Sequence, residues 1–207
     1  MEIIRGKMSL DMDVRELSAC MAGYRRVVID VGTGDGRFVR HLAERQPAAF
    51  VIGVDACREN LRAVSRVQRA NMLFVIANAQ TLPDELYGLA GQLTINFPWG
   101  SLLKGLLEAE PGLMNGLSAI AQPAALVDVR LNAGALAEAG YSLEKGTQLV
   151  RDSLLAHGFG LRPPARLETQ ALRQVPSTWA RRLAFGRDPR SVVLSGARAH
   201  LAVSPRQ

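Results

Sequence analysis

The feature that most restricts the fold of this chain is a glycine-rich turn directly after a buried strand. The run Val27–Val31 is apolar except for Asp30, and Gly32, Gly34 and Gly36 follow at alternate positions before a helical pattern begins. Glycine adopts positive φ without steric cost and lets the backbone approach a ligand closely. The spacing is G-x-G-x-G, which differs from the G-x-G-x-x-G of dinucleotide sites. The run predicts a strand, turn and helix that together hold a small ligand.

The next strand also ends in an acid. Asp55 follows the apolar run Val51–Val54, and a carboxylate at this position can accept both ribose hydroxyls of an adenosyl group. Together with the turn and Asp30, it resembles the S-adenosylmethionine (SAM) site of class I methyltransferases. That resemblance places the cofactor adenine after the third strand, where Asn78 or Gln80 would bond its edge; an ordinary strand-end loop explains these residues equally well.

The rest of the chain alternates short β-branched runs with helical patterns, which is typical of a parallel sheet covered by helices. We predict an α/β fold with a seven-stranded, mostly parallel, Rossmann-like sheet in one domain spanning 1–207, preceded by a hairpin within 1–13. The predicted strands are Arg26–Val31, Phe50–Val54, Met72–Ile76, Gln92–Asn96, Ala124–Val129, a stretch near Arg166–Ala171, and Ser191–Gly196. The predicted helices are Gly36–Arg45, Arg58–Ala70, Ser101–Glu108, Leu113–Ala121, Glu144–His157 and Ser177–Ala184.

Composition excludes several classes of protein. Apolar residues make up 48% of the chain, yet no apolar stretch approaches the roughly 20 residues of a membrane span. The N-terminus lacks a signal-peptide core. Two cysteines, Cys20 and Cys57, form no disulfide framework, and no Cys/His cluster has zinc spacing. We therefore expect a cytoplasmic protein without a metal or a membrane partner.

The positive charge is concentrated near the C-terminus. Residues 151–207 contain 10 basic and 3 acidic side chains, whereas residues 1–150 contain 15 and 16. A basic segment of this kind indicates a polyanionic partner or a solubilising surface. A second group, Arg58, Arg62, Arg66 and Arg69, would share one face of a helix over 57–70. A solvated face partly neutralised by Glu59 is the alternative, and we favour nucleic acid because the two basic features occur together.

Two tryptophans are placed where a flat substrate would bind. Pro98 and Trp99 follow the fourth strand, and ligands of open α/β sheets bind beyond such carboxyl ends. Trp179 lies in the basic segment, where it is followed by Arg181 and Arg182. Aromatic stacking on a base contributes about 1–3 kcal/mol. The two indoles are predicted to clamp one unstacked base, although Trp99 capping the core is an alternative.

Three stretches, Asp30–Arg37, Asn96–Leu102 and Ser177–Arg190, resemble the aminoglycoside-resistance methyltransferases of the Kam and Npm type, which modify N1 of adenine-1408 in 16S rRNA. The resemblance covers nearly the whole chain. It implies SAM as cofactor, the 16S rRNA of the 30S subunit as partner, and a flipped adenine between Trp99 and Trp179, next to Pro98. The cofactor pocket would comprise Asp30, Gly32, Thr33, Gly34, Asp55, Ala56, Ala79, Gln80, Asn96 and Thr178. The RNA would be held by Arg58, Arg62, Arg66, Arg69, Arg181, Arg182, Arg187 and Arg190.

This sequence departs from the family pattern at several points. The family often has an acid at the position of Gln80, and its RNA-binding helix is usually rich in lysine and followed by a longer loop than Ala70-Asn71. One extra residue, Asp188 or Pro189, lies before Arg190. An arginine that some members carry before the sixth strand has no counterpart near Ala139.

N1 of adenine carries no proton at neutral pH, so methylation there needs positioning and no general base. The three histidines, at 41, 157 and 200, are accordingly predicted to be surface residues. Three alternatives stay open: a methyltransferase for the exocyclic amine of adenine, a small-molecule methyltransferase, and a ribosome-binding protein without catalysis. A monomer is expected.

Overall fold

The computed structural model describes residues 1–176, 180 and 188–199. Within them, ten strands form one mixed sheet with helices on both faces. The strands are β1 (Glu2–Arg5), β2 (Met8–Asp11), β3 (Arg26–Val31), β4 (Ala49–Asp55), β5 (Met72–Ile76), β6 (Ala90–Asn96), β7 (Ala121–Asn132), β8 (Phe159–Leu161), β9 (Ala165–Arg166) and β10 (Ser191–Arg198). The α-helices are α1 (Val14–Met21), α2 (Arg37–Arg45), α3 (Arg58–Leu61), α4 (Gly100–Leu107), α5 (Pro111–Ile120), α6 (Ala133–Glu138), α7 (Leu143–Ala156) and α8 (Thr169–Gln174). Short 3-10 helices span Val64–Arg66 and Asp84–Leu86.

The strand order is β2-β1-β5-β4-β3-β6-β7-β10-β8, with β9 paired to β10. Strands β5, β4, β3, β6 and β7 are parallel neighbours, and β10 runs antiparallel between β7 and β8. Helices connect most of these parallel strands, so their carboxyl ends meet at one edge. Six of the seven predicted strands are present, as β3 to β7 and β10, and the hairpin, β8 and β9 bring the sheet to ten.

The central strands are buried on both faces, as their sequences predict. All of β4 except its last residue is buried, and the last four residues of β3 are buried as well. Such strands read as continuous apolar runs because helices cover both sides of the sheet. The single polar residue in the buried part of β3 is Asp30, which therefore stands out as a carboxylate inside the core.

The predicted N-terminal hairpin is confirmed, since β1 and β2 pair antiparallel around a turn at Gly6 and Lys7. It is also part of the main sheet, because Ile3 pairs with Val75 of β5. Ile3 and Ile4 point to opposite faces of the sheet, and both are buried, each in a different apolar cluster.

Two predicted elements are wrong. The helix predicted over 58–70 is α3 followed by a 3-10 turn, and Val67 is extended with φ −82° and ψ 101°. The strand predicted near 166–171 is present only as the two-residue β9, which ends at Arg166, and helix α8 begins at Thr169, with its Leu172 buried in a small apolar cluster. Helices α1 and α6 were not predicted. Of the predicted helix Ser177–Ala184, only Ala180 lies within the described residues. Within the described part of the chain, no helix is long and apolar enough to span a membrane.

Candidate cofactor and acceptor site

A cavity of about 290 Å³ opens at the carboxyl ends of β3, β4, β5 and β6. This is close to the lower end of the roughly 300–1,000 Å³ of small-molecule pockets. All the described residues predicted for the cofactor line it; Thr178 lies outside the described residues. The described residues that line it are Asp30, Gly32, Thr33, Gly34, Asp35, Phe38, Val54, Asp55, Ala56, Asn60, Ala77, Asn78, Ala79, Gln80, Asn96, Phe97, Pro98, Trp99, Ser101, Leu102 and Leu113.

The three glycines of the turn have the left-handed backbone that the sequence predicts. Gly32, Gly34 and Gly36 have φ of 72°, 58° and 68°. Their surroundings differ, because a Cβ on Gly34 would meet open space, whereas one on Gly36 would lie 2.6 Å from both Phe74 and Val64. Gly34 thus leaves the pocket open, and Gly36 lets α2 pack closely on the sheet.

Asp55 holds the turn in place. Its Oδ2 accepts a hydrogen bond from the Gly34 amide at 2.7 Å, and its Oδ1 accepts one from the Cys57 amide at 2.9 Å. A carboxylate oxygen accepts more than one hydrogen bond, so both oxygens can still receive ribose hydroxyls. The sequence predicted the ribose contact but did not reveal this bracing of the glycine turn.

Asp30 is the most unusual group of the site. It is 1% exposed, and its Oδ1 accepts hydrogen bonds from Thr94 Oγ1 at 2.6 Å and Asn96 Nδ2 at 2.7 Å. Its Oδ2 is buried and has no hydrogen-bond partner among the described residues. Burial raises the pKa of Asp30 from 3.8 to about 6, even though hydrogen bonding to Thr94, Thr33 and Asn96 and the charge of Arg130 act in the opposite direction. A buried acceptor without a donor indicates that a cationic or hydrogen-bonding ligand belongs beside it.

Arg130, which sequence reasoning missed, sets the orientation of Asn96. It pairs with Asn96 across β6 and β7, and its Nη1 donates to Asn96 Oδ1 at 2.7 Å. Because that amide oxygen is engaged, the amide nitrogen faces Asp30. The Arg130 guanidinium also lies 5.9 Å from the centre of the Phe38 ring. The sequence offers no signal for this contact, because only the pairing of β6 with β7 brings the two side chains together.

The predicted adenine side of the pocket is formed by the loop after β5. The Asn78 Oδ1 accepts from the Gln80 amide at 3.0 Å, so this side chain stabilises the loop. Ala79 and Gln80 line the cavity, with Ala79 partly buried against the core. Asn78 lines the cavity as well, so both predicted residues stay candidates for the adenine edge.

Several further lining residues were missed by sequence reasoning. Five of them lie in or directly beside the predicted strand ends, the glycine turn or the start of a predicted helix, so their position along the chain would have found them. The other four come from helices α2, α3, α4 and α5, which fold over the cavity. The missed residues are Asp35, Phe38, Val54, Asn60, Ala77, Phe97, Ser101, Leu102 and Leu113.

The loop after β6 forms the acceptor side. Phe97 is buried and has φ of 52°, a conformation that costs a bulky residue energy and is concentrated at functional sites. Pro98 and Trp99 line the cofactor cavity, and Trp99 also lines a neighbouring recess of about 380 Å³ between α4 and α6. The indole is partly buried against the core. It therefore borders the cofactor cavity and is not enclosed in the interior.

Phe97 connects this loop to the C-terminal segment. It forms one apolar cluster with Leu172 of α8 and Ala180, which is fully buried. Ala180 directly follows Trp179 in the chain, and Phe97 precedes Trp99 by two residues. Trp179 itself lies outside the described residues, as do the RNA-contact candidates Arg181, Arg182 and Arg187.

The described arginines predicted to contact RNA are in different situations. The backbone stays right-handed through Arg62 and Ala63, but the 3-10 turn over Val64–Arg66 departs from the regular α-helical row that the sequence predicts. The extended Val67 removes Arg69 from that row, and Arg69 pairs with Glu44 at 3.0 Å.

Arg190 already has an anionic partner. Its guanidinium Nε donates to both carboxylate oxygens of Asp188, at 2.9 and 3.0 Å, and Nη2 also contacts Oδ2. This ion pair raises the pKa of Arg190. A phosphate contact by Arg190 would therefore replace or share the pair with Asp188, one of the two residues that depart from the family pattern.

These residues fit SAM. The unpartnered Asp30 Oδ2 matches the α-ammonium of its methionine part, Asp55 matches the ribose hydroxyls, and the open space at Gly34 admits the ligand next to the backbone. Within the described part of the chain, no group of three or more His, Cys, Asp or Glu side chains is arranged to hold a metal ion.

Comparison with known proteins shows which sequences and structures this chain resembles. A curated relative from Escherichia coli, a 16S rRNA (adenine(1408)-N(1))-methyltransferase, is 31% identical over 205 residues, covering 90% of this chain and 94% of its own. A crystal structure of a mutant 16S rRNA (adenine(1408)-N(1))-methyltransferase with cosubstrate SAM, from Catenulisporales acidiphilia, is 25% identical, with TM-score 0.83 and coverage of 100% of this chain and 99% of that chain. The aminoglycoside resistance methyltransferase NpmB1 is 28% identical, with TM-score 0.79 and coverage of 96% and 99%.

The family model described as NpmA, 16S rRNA (adenine(1408)-N(1))-methyltransferase, matches residues 2–198. This match covers nearly all of the chain and confirms both the resemblance and the SAM cofactor inferred from the sequence. The chain therefore belongs to the 16S rRNA (adenine(1408)-N(1))-methyltransferase family of SAM-dependent enzymes.

Proposed function

We propose that this chain methylates N1 of adenine-1408 in the 16S rRNA of the small ribosomal subunit and thereby confers aminoglycoside resistance. The observation that carries the proposal is the position of Trp99, whose partly buried indole borders the cofactor cavity. An aromatic ring at that place offers a stacking surface for a flipped base. Family membership supplies the identity of the base.

The contribution of the protein to the reaction is to position SAM and the base. Bound SAM supplies a methyl group on a sulfonium, and adenine N1 offers a lone pair that needs no deprotonation. None of the described residues lining the cavity is a histidine or lysine, and the Asp30 and Asp55 carboxylates accept hydrogen bonds from the protein. Alignment of the reacting atoms contributes up to about 7–11 kcal/mol.

We further propose that Trp179 stacks on the opposite face of the base. The apolar cluster of Phe97, Leu172 and Ala180 supports this, because it packs the residue after Trp179 against the loop that carries Trp99. Two indoles around the base would also stabilise the positive charge that develops on it, by about 0.5–2 kcal/mol through cation–π attraction.

The basic residues are proposed to hold the RNA around the flipped base. Arg62 and Arg66 are exposed, and the segment that carries them begins beside the cavity, which Asn60 lines. We propose the assembled small subunit as the substrate, a monomer as the active form, and the cytoplasm as the site of action.

The test is to incubate small ribosomal subunits with labelled SAM, map reverse-transcription stops and identify the methylated nucleoside by chromatography. We expect one stop at adenine-1408 and N1-methyladenine as product. N6-methyladenine would indicate an exocyclic-amine methyltransferase, and labelling of small molecules only would indicate a small-molecule methyltransferase.

Variants separate the role of the indole from cofactor binding. Trp99→Ala is expected to abolish methylation while calorimetry shows SAM affinity within a few-fold of wild type, and Trp99→Phe to retain part of the activity because it keeps an aromatic face. Full activity of Trp99→Ala would refute the stacking role.

A further inference from the structure

The turn of the N-terminal hairpin is fastened to the arginine segment, although 59 residues separate them. The Gly6 amide donates to Ser65 Oγ at 2.9 Å in a buried hydrogen bond. Arg58 Nη2 donates to the Lys7 carbonyl oxygen at 3.4 Å. Gly6 has φ of 63°, and a Cβ there would lie 3.4 Å from Arg66 Cγ. The turn and the arginine segment therefore form one continuous surface.

This surface gathers positive charge with little compensation. Arg5 and Lys7 flank Gly6 and are exposed, and they join Arg58, Arg62 and Arg66. Among the described residues, no carboxylate forms an ion pair with the turn or with Arg58 or Arg66, and Arg62 alone reaches one, Glu59, at 3.8 Å. Other arginines of the chain are paired, such as Arg37 with Asp35, Arg40 with Glu44 and Arg69 with Glu44.

The surface also contains a recess. A cavity of about 480 Å³ lies beside the hairpin turn, and Arg5, Gln68 and Arg69 are among its lining residues. Most of its other lining residues are apolar, such as Tyr24, Phe50 and Phe74, and Arg69 is paired with Glu44, so the charge of this surface comes from its exposed arginines and Lys7 and not from the recess. Like charges held together by backbone contacts repel each other, and an anion bound across them removes this electrostatic repulsion. Phosphate groups of RNA are the anions that suit a row of guanidinium and ammonium groups.

We propose that the hairpin turn, through Arg5 and Lys7, is part of the RNA-binding surface and contacts backbone phosphates together with Arg58, Arg62 and Arg66. The inference rests on the proposed function, because it takes the partner to be the rRNA of the small subunit. It assigns a role to a segment outside the SAM site, and it explains why the turn is hydrogen-bonded to Ser65.

The test compares wild type with the double variant Arg5→Gln/Lys7→Gln. Binding to purified small subunits is measured by fluorescence at several salt concentrations. Each phosphate contact contributes roughly 0.7–0.9 to the slope of log affinity against log salt. We therefore expect the slope of the double variant to be smaller by about 1.4–1.8. The Gly6–Ser65 hydrogen bond involves neither side chain, so the turn is expected to stay folded, as circular dichroism and the thermal midpoint will check.

Arg25→Gln/Lys145→Gln is the matched control, because it removes the same charge from two exposed residues away from the turn. Its slope is expected to equal that of wild type. If the hairpin variant keeps the wild-type slope, or if both double variants lose slope equally, the inference is overturned while the proposed function stands. If wild type itself neither binds nor methylates small subunits, the proposed function is overturned, and the inference with it.

Discussion

Asn in place of Asp30 should stabilise the protein at neutral pH and abolish cofactor binding. Asp30 is buried, and its Oδ2 lacks a hydrogen-bond partner among the described residues. An asparagine has the same shape, and its Oδ1 can accept the same hydrogen bonds from Thr94 and Asn96. The variant therefore removes a buried negative charge while it keeps the packing of β3.

The expected gain follows from the pKa of Asp30, which burial raises from 3.8 to about 6. A shift of this size corresponds to about 3 kcal/mol of folding free energy at neutral pH. Because the pKa in the folded state lies above that of the unfolded chain, the stabilising contribution of protonated Asp30 is complete below pH 3.8. Wild type loses this contribution as the pH rises through about 6. Asp30→Asn has no carboxyl group at this position, so its stability does not fall in the same way.

The assay is urea denaturation of wild type and Asp30→Asn without cofactor, at about pH 4 and about pH 7.5. The stability of the variant relative to wild type should rise by about 2.4 kcal/mol between the two pH values, because about 0.5 kcal/mol of the effect is already present at pH 4. Asp152→Asn is the control, since Asp152 is an exposed carboxylate and should show no comparable difference. A stability difference for Asp30→Asn that is the same at both pH values would refute the reasoning.

The same group links cofactor binding to pH. If the Asp30 carboxylate accepts the SAM ammonium, wild-type affinity measured by calorimetry should fall about tenfold per pH unit below about pH 6. Asp30→Asn should bind SAM too weakly to measure at any pH. A SAM affinity that is constant from about pH 7.5 to about pH 4.5 would show that the Asp30 carboxylate does not bind the SAM ammonium.

Two other substitutions test the geometry around the turn. Gly36→Ala should destabilise the protein by about 2–5 kcal/mol in urea denaturation, and Gly34→Ala by only about 1–2 kcal/mol. Both glycines have positive φ, but only a Cβ on Gly36 would clash with Phe74 and Val64. Equal losses of stability in the two variants would contradict this reasoning. Arg130→Gln should weaken SAM binding roughly tenfold by freeing the Asn96 amide to turn, whereas Arg26→Gln, which breaks the half-buried contact with Gln46, should leave the affinity unchanged.

Local patterns were sufficient for most of the central sheet and for the cofactor side of the site. The glycine turn was predictable because positive φ at Gly32, Gly34 and Gly36 is a property of the residues themselves. Asp30 and Asp55 were predictable because parallel strands place their carboxyl ends at one edge.

Other elements depended on contacts distant in sequence. The helix predicted over 58–70 ends early: Ser65 accepts a hydrogen bond from Gly6, and Asn71 donates to the carbonyls of Ala43 and Ala49 at 2.9 and 3.1 Å. These bonds fix both ends of a short connection, which then has no room for a regular helix.

By itself, the sequence determined the type of ligand site and the positions along the chain of the strands that build it, because both follow from short-range backbone preferences and from the alternation of apolar runs. The tertiary structure alone decided the electrostatic state of Asp30, which depends on burial and on Thr94 and Asn96 of a neighbouring strand. It also decided that Arg130 orients Asn96 and that the hairpin turn joins the arginine segment. Desolvation and hydrogen bonding act between groups that only the folded chain brings together, so no local pattern encodes them.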